Sequence, residues 1–205
     1  MYEIQLDNSK ELQVELINPD KGTFNGEDGN KKKFKEILRR VFIGNYEDSK
    51  NILLLNNTNI THIIIIRFSK EDYTTRINFP HKFEYYIIDL NSEFDFTSCS
   101  HFKYLLDEIL FENNKNKIFI HSYFCINYIL YLLIFYIVTT LNYDIQDVIS
   151  YIKKIIIDFV ISDEETDKIY YFTKRHKLTY YPGYLKKIYI IFSFLFTDNF
   201  NISYI

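Results

Sequence analysis

Two short stretches of this 205-residue chain carry side chains that could act on a bound group. The first is Ile118-Phe119-Ile120-His121-Ser122-Tyr123-Phe124-Cys125-Ile126-Asn127-Tyr128-Ile129, which reads as an apolar strand ending in His121, a short loop and the start of an apolar helix. A loop feeding a helix N-terminus gathers unpaired backbone N–H groups and the positive end of the helix dipole, so it favours an anion such as phosphate. Covalent chemistry there needs a nucleophile, and the stretch offers a hydroxyl at Ser122 and a thiol at Cys125. The second stretch, Ser92-Glu93-Phe94-Asp95, holds two carboxylates that could supply a proton.

Each of these groups also has a plain structural role. A serine hydroxyl needs a base to become a nucleophile, and the only one next to Ser122 in sequence is His121. Cys125 stands between Phe124 and Ile126, the setting of a small buried hydrophobe. Glu93 and Asp95 read equally well as exposed loop carboxylates. The five histidines, His62, His81, His101, His121 and His176, are scattered without metal-ligand spacing, and with five glycines there is no Gly-rich nucleotide loop. The residues imply no cofactor.

A regular alternation of elements positions these residues. Val41-Phe42-Ile43-Gly44 predicts a short strand, and residues 48–56 a short helix with an apolar face. Ile60-Thr61-His62-Ile63-Ile64-Ile65-Ile66-Arg67 is a β-branched run, as expected of a strand covered on both faces. Residues 83–90 give another strand. Residues 101–111 space Phe102, Leu105, Leu106, Ile109 and Leu110 like an amphipathic helix. Residues 117–121 predict a strand, 128–141 a buried helix, and 145–157 and 163–175 two further helices. The pattern predicts an α/β fold, a single domain with a central, largely parallel sheet flanked by helices, over residues 34–205. Ligands of such sheets lie beyond the carboxyl ends of the strands, where His121 and Ser122 fall. Residues 1–33 read as an N-terminal appendage and linker. Residues 2–6 and 12–17 alternate enough for short strands, and 19–33 are rich in Gly, Asn, Asp and Lys.

Composition narrows the partners. Tyr and Phe contribute 19 residues each and alanine is absent, a bias that discounts any single tyrosine or asparagine as a signal. The net charge of −3 gives no support for nucleic-acid binding, and acidic residues flank the clusters Lys31-Lys32-Lys33 and Arg39-Arg40. Cys99 and Cys125 form no framework, and the N-terminus lacks the basic and apolar runs of a secretory signal, so a reducing compartment, cytoplasmic or nuclear, is expected. Residues 118–142 contain no Asp, Glu, Lys or Arg, which raises a membrane span. His121, Ser122, Asn127 and four tyrosines interrupt them, and a helix buried on every side is also apolar all round. The balance is against a membrane. The apolar run 188–196 is too short to span and reads as a packing segment.

Glu36-Ile37-Leu38, Val41-Phe42-Ile43-Gly44-Asn45-Tyr46, the run from Ile60 to Arg67, Phe83-Glu84-Tyr85-Tyr86-Ile87-Ile88-Asp89-Leu90, Phe119-Ile120-His121-Ser122 and Asp147-Val148-Ile149-Ser150-Tyr151-Ile152 occur in one register. In that order and spacing, residues 34–155 resemble the dual-specificity branch of the protein tyrosine phosphatase superfamily, and within it the STYX-type pseudophosphatases. The family's basic, Pro- and Asn-containing turn has no counterpart, since Ile155-Ile156-Ile157-Asp158 occupies its place.

The resemblance implies roles for four vestigial positions. Ser122 stands where the family has its nucleophilic cysteine, Cys125 at the loop glycine, Tyr128 at the phosphate-binding arginine and Ser92 at the proton-donating aspartate. His121 is retained. Neither cysteine is a displaced nucleophile, since Leu105 and Tyr131, not arginine, follow six residues after Cys99 and Cys125. Arginine binds two phosphate oxygens with a permanent charge, whereas Tyr128 offers one neutral hydrogen bond of about half the strength. The resemblance therefore implies a catalytically inactive pseudophosphatase, an interaction module whose partners are other proteins, phosphoproteins or kinases among them. The alternative is a residual or unconventional protein tyrosine/serine/threonine phosphatase using Ser122, or Glu93 and Asp95.

Overall fold

The computed structural model of the protein describes residues 15–17, 34–68, 76–90, 94–122 and 126–179. In chain order these form β1 (Lys35–Leu38), β2 (Val41–Asn45), α1 (Ile52–Thr58), β3 (His62–Arg67), β4 (Glu84–Asp89), α2 (Phe96–Glu112), β5 (Ile118–Ser122), α3 (Ile126–Leu141), α4 (Ile145–Ile155) and α5 (Asp163–Thr179). The sequence-predicted strand at 2–6, the linker at 19–33 and the apolar run at 188–196 lie outside the described residues.

The five strands form one sheet in the order β1-β2-β5-β3-β4. β1 runs antiparallel to β2 and every other pair is parallel. β3 shows why its sequence is a continuous apolar run. Successive side chains alternate between faces: Ile64 and Ile66 join a core with α2, α3, α4 and α5, while Ile63 and Ile65 join a second core with Leu55 of α1. All four isoleucines are fully buried, and each contributes about 1.5–3 kcal/mol relative to exposure. The chain thus crosses from β2 to β3 over one face and from β4 to β5 over the other. The carboxyl end of β5 lies where these connections diverge, the position at which open α/β sheets form a crevice.

Local chemistry sets the element ends. The predicted helix at 48–56 is split, because Asn51 leaves helical geometry and its side chain accepts the Leu54 N–H at 3.1 Å. Asp48–Lys50 before it is only a 3-10 turn. α2 starts at Phe96, ahead of its amphipathic window, because Asp95 caps it; Thr97, Ser98 and Ser100 hide the apolar period there. Arg40, at a positive φ of 72°, sends its guanidinium to the carbonyls of Leu110 (3.2 Å), Asn113 (3.2 Å) and Asn116 (3.4 Å) at the other end of α2. The Asn113 carbonyl also accepts the Asn116 N–H at 3.0 Å, and the cation complements the negative end of the helix dipole there.

α3 is the centre of the helical layer, buried at every residue from Ile129 to Val138. This explains the uncharged stretch 118–142. Among the described residues no helix is long and apolar enough to cross a membrane. At the far edge of the sheet Leu16 bridges Leu38 in antiparallel fashion, and the Arg39 N–H donates to the Glu15 carbonyl at 3.1 Å. The Tyr151 hydroxyl ties this contact to α4, donating to the Ile37 carbonyl (2.6 Å) and accepting the Ile17 N–H (3.1 Å). Burial raises its pKa to about 12.

Candidate functional site

The carboxyl end of β5 is reached by both neighbouring strands, with Gly44 opposite His121 and Asn45 opposite Ser122. Gly44 is required by crowding: a Cβ there would lie 2.7 Å from Asp48 Oδ2 and 2.8 Å from Phe119 Cε2. Asn45 and Asp48 close the next turn reciprocally, each side chain accepting the other's backbone N–H at 2.9 Å.

His121 is fully buried. Its ring stacks on Phe119 at 5.5 Å and lies 6.1 Å from Tyr46. Neither ring nitrogen has a hydrogen-bond partner among the described residues. Desolvation lowers its pKa from 6.5 to about 4, so the ring is neutral at pH 7. Ser122, 3% exposed, leaves β5 on the opposite side of the strand. A serine nucleophile requires a hydrogen-bonded base, and His121 makes no such bond. Nor does a neutral imidazole add positive charge to the pocket.

Tyr128 sits in the first turn of α3. Its ring meets Phe68, just past β3, edge-on at 4.8 Å, and lies 5.6 Å from Tyr131 and 6.1 Å from Phe94. Phe94, from the segment before α2, also contacts Tyr131 and Phe172, each at 5.7 Å. Tyr131 touches Phe159, beyond α4, at 6.1 Å. The region above the strand ends is therefore packed with aromatic rings at contact geometry. The Tyr131 hydroxyl is bonded to Glu165, and burial followed by that carboxylate raises its pKa. Burial opposes ionisation of Glu165, yet its bonds from Ser162 and Tyr131 leave its pKa below the usual value. Arg67, at the end of β3, is committed to Asp89 (Nε–Oδ1 2.5 Å).

The structure thus brings His121, Ser122 and Tyr128 to one end of the sheet. Ser92, Glu93 and Cys125 lie outside the described residues. Asp95, the remaining sequence candidate for a proton donor, is the N-cap of α2, accepting from the Ser98 N–H (2.8 Å) and the Ser98 hydroxyl (3.0 Å). Cys99 is fully buried on α2, and desolvation pushes its thiol pKa well up, so it is a packing residue. Sequence reasoning missed the cluster of Phe68, Phe94, Tyr131, Phe159 and Phe172. In a chain with 19 Phe and 19 Tyr, no single ring stood out.

The sequence matches no protein-family model and no curated protein. Solved structures do match. The human tyrosine phosphatase-like serine/threonine/tyrosine-interacting protein superposes with a TM-score of 0.63 at 22% identity, over 71% of this chain and 99% of that one. The chain has the dual-specificity phosphatase fold. A mouse putative dual specificity phosphatase complexed with zinc tungstate gives a TM-score of 0.60 at 9% identity, over 77% of this chain and 96% of its own. A leucine rich repeat and phosphatase domain containing protein from Entamoeba histolytica gives 0.58 at 12%, over 73% and 96%. At these identities the likeness establishes the architecture, a largely parallel sheet flanked by helices as in that phosphatase fold.

Proposed function

We propose that this protein is a catalytically inactive phosphatase-like protein, a pseudophosphatase, acting as a protein-interaction module or scaffold in phospho-signalling. Its partners are other proteins, phosphoproteins or kinases among them, in the cytoplasm or the nucleus. The reading is carried by Tyr128, whose ring at the first turn of α3 is packed against Phe68, Phe94 and Tyr131. A dianion at this end of the sheet needs a charged, forked donor, and that position supports an aromatic cluster instead. The neutral His121 ring makes no hydrogen bond to Ser122, so it is not placed as the base of an alternative serine mechanism.

An aryl-phosphate assay on the purified protein, paired with thermal-shift titrations against phosphate, vanadate and tungstate, tests the proposal. No turnover and no stabilisation are expected. Turnover that disappears in Ser122→Ala would overturn it in favour of a residual phosphatase. Activity gained on combining Ser122→Cys, Cys125→Gly and Tyr128→Arg would show that the scaffold survives around an emptied site.

A further inference from the structure

Among the described residues the two most exposed apolar side chains are Ile157 (85%) and Val160 (72%), both in the segment joining α4 to α5. That segment is anchored. Phe159, between them, is 3% exposed, and its N–H donates to the Ile156 carbonyl at 3.1 Å. Ile156 and Ile161 pack against the main core, and Lys35 Nζ holds the Ile155 carbonyl at 2.8 Å. The outward side chains are thus presented by a fixed support, which lowers the cost of ordering them on association.

The flanking charges differ in sign. Lys153 and Lys154, both exposed, are in the last turn of α4, while Asp163 and Glu164, also exposed, are in the first turn of α5. Glu164 already pairs with Lys168 at 2.9 Å, so Asp163 is the main acidic contact left for a partner. A patch that is basic on one side, apolar in the middle and acidic on the other is complementary to itself after a two-fold rotation. Such an isologous contact places residue i against j and j against i.

We propose that Ile157 and Val160 form the centre of a two-fold interface with a second copy of this chain. Lys153 and Lys154 of each copy face Asp163 and Glu164 of the other. Asp158, exposed between the apolar pair, is the one like charge brought near its mate. Seven side chains fall short of the roughly 1,600 Å² of a stable interface, so the dimer is weak and concentration-dependent. The proposal is independent of whether the Ser122 pocket turns over substrate.

Sedimentation equilibrium of the full chain over a wide concentration range tests it. Wild type is expected to dimerise, less so at high salt, where exposed charges are screened. Ile157→Asp or Val160→Asp is expected to weaken association at least tenfold. K153E/K154E and D163K/E164K, folded by circular dichroism, are each expected to be monomeric and to form a heterodimer when mixed, because acidic flanks repel acidic ones, basic flanks repel basic ones, and the two kinds attract each other. A monomeric wild type, including one that binds lipid vesicles or another protein through this segment, would overturn the proposal. Self-association unaffected by the charge reversals, or reversed variants that fail to pair on mixing, would also overturn it.

Discussion

Lowering the pH from 7 to 4.5 is expected to cost this protein about 2.5 kcal/mol through one side chain, His121. The ring is fully buried, its nitrogens have no partner among the described residues, and desolvation moves its pKa from 6.5 to about 4. A base whose folded pKa is depressed binds fewer protons in the folded state than in the unfolded state. Its contribution is therefore complete above pH 6.5 and is lost progressively as the pH falls towards 4. At about 1.36 kcal/mol for each tenfold change in proton affinity, the full loss is about 3 kcal/mol, most of it incurred by pH 4.5. Full burial leaves no solvent screening to discount.

Carboxylates and His176 also titrate in this range, so the comparison must be with His121→Phe, which keeps a ring against Phe119 and Tyr46. Urea denaturation of both proteins at pH 7 and 4.5 gives four unfolding free energies. The wild type is expected to lose about 2.5 kcal/mol more than the variant across the interval. At pH 7 the variant is expected to be at least as stable as the wild type, because replacing an unpaired buried polar group with an apolar one removes a penalty of about 1–3 kcal/mol. Equal losses in the two proteins, or a variant more than about 2 kcal/mol less stable at pH 7, would refute the picture of a neutral, unpartnered imidazole.

Four further perturbations test the packing around the site and sheet. Arg40→Ala strips the guanidinium from the carbonyls of Leu110, Asn113 and Asn116, and is expected to lower the unfolding free energy by about 1.5–3 kcal/mol; a loss below about 0.5 kcal/mol would deny the cap. Gly44→Ala places a methyl 2.7 Å from Asp48 Oδ2 and 2.8 Å from Phe119, and is expected to cost about 1–3 kcal/mol by calorimetry. Tyr151→Phe removes the hydroxyl linking Ile17 to Ile37; about 1 kcal/mol of stability and the exchange protection of the Ile17 amide are expected to go together. Tyr128→Phe keeps the ring on Phe68 and is expected to stay within about 0.5 kcal/mol of wild type by urea denaturation.

The α/β order of the fold was legible because its signals are local and strong. The β-branched run of β3 and the amphipathic period of α2 each point to one element, and both formed. What failed at the edges was chemistry carried by single polar side chains. Asn51 divides the predicted helix at 48–56, and Asp95 starts α2 earlier than its apolar period shows. The antiparallel β1 was not foreseen as a strand, because Lys35–Leu38 is four residues long and its identity comes from pairing with β2. No periodicity encodes that pairing. The docking of Glu15, Leu16 and Ile17 beside β1 has no local signal either, since Ile17 is held by Tyr151, 134 residues further on.

The site was legible in one dimension only. The resemblance singled out Ser122 and Tyr128 as vestigial positions, yet Tyr128 gains its meaning from Phe68 after β3, Phe94 before α2 and Tyr131 one helical turn on. An arginine at position 128 would have to be accommodated among the same rings that pack against the tyrosine. Under the proposed reading a cation placed at position 128 would act alone, because the neutral His121 ring makes no hydrogen bond to Ser122. Arg67, the guanidinium at the end of β3, cannot substitute without giving up Asp89. Under the proposed reading stability and catalysis are opposed at this end of the sheet: the rings packed around Tyr128 are packing that phosphoryl chemistry would have to open.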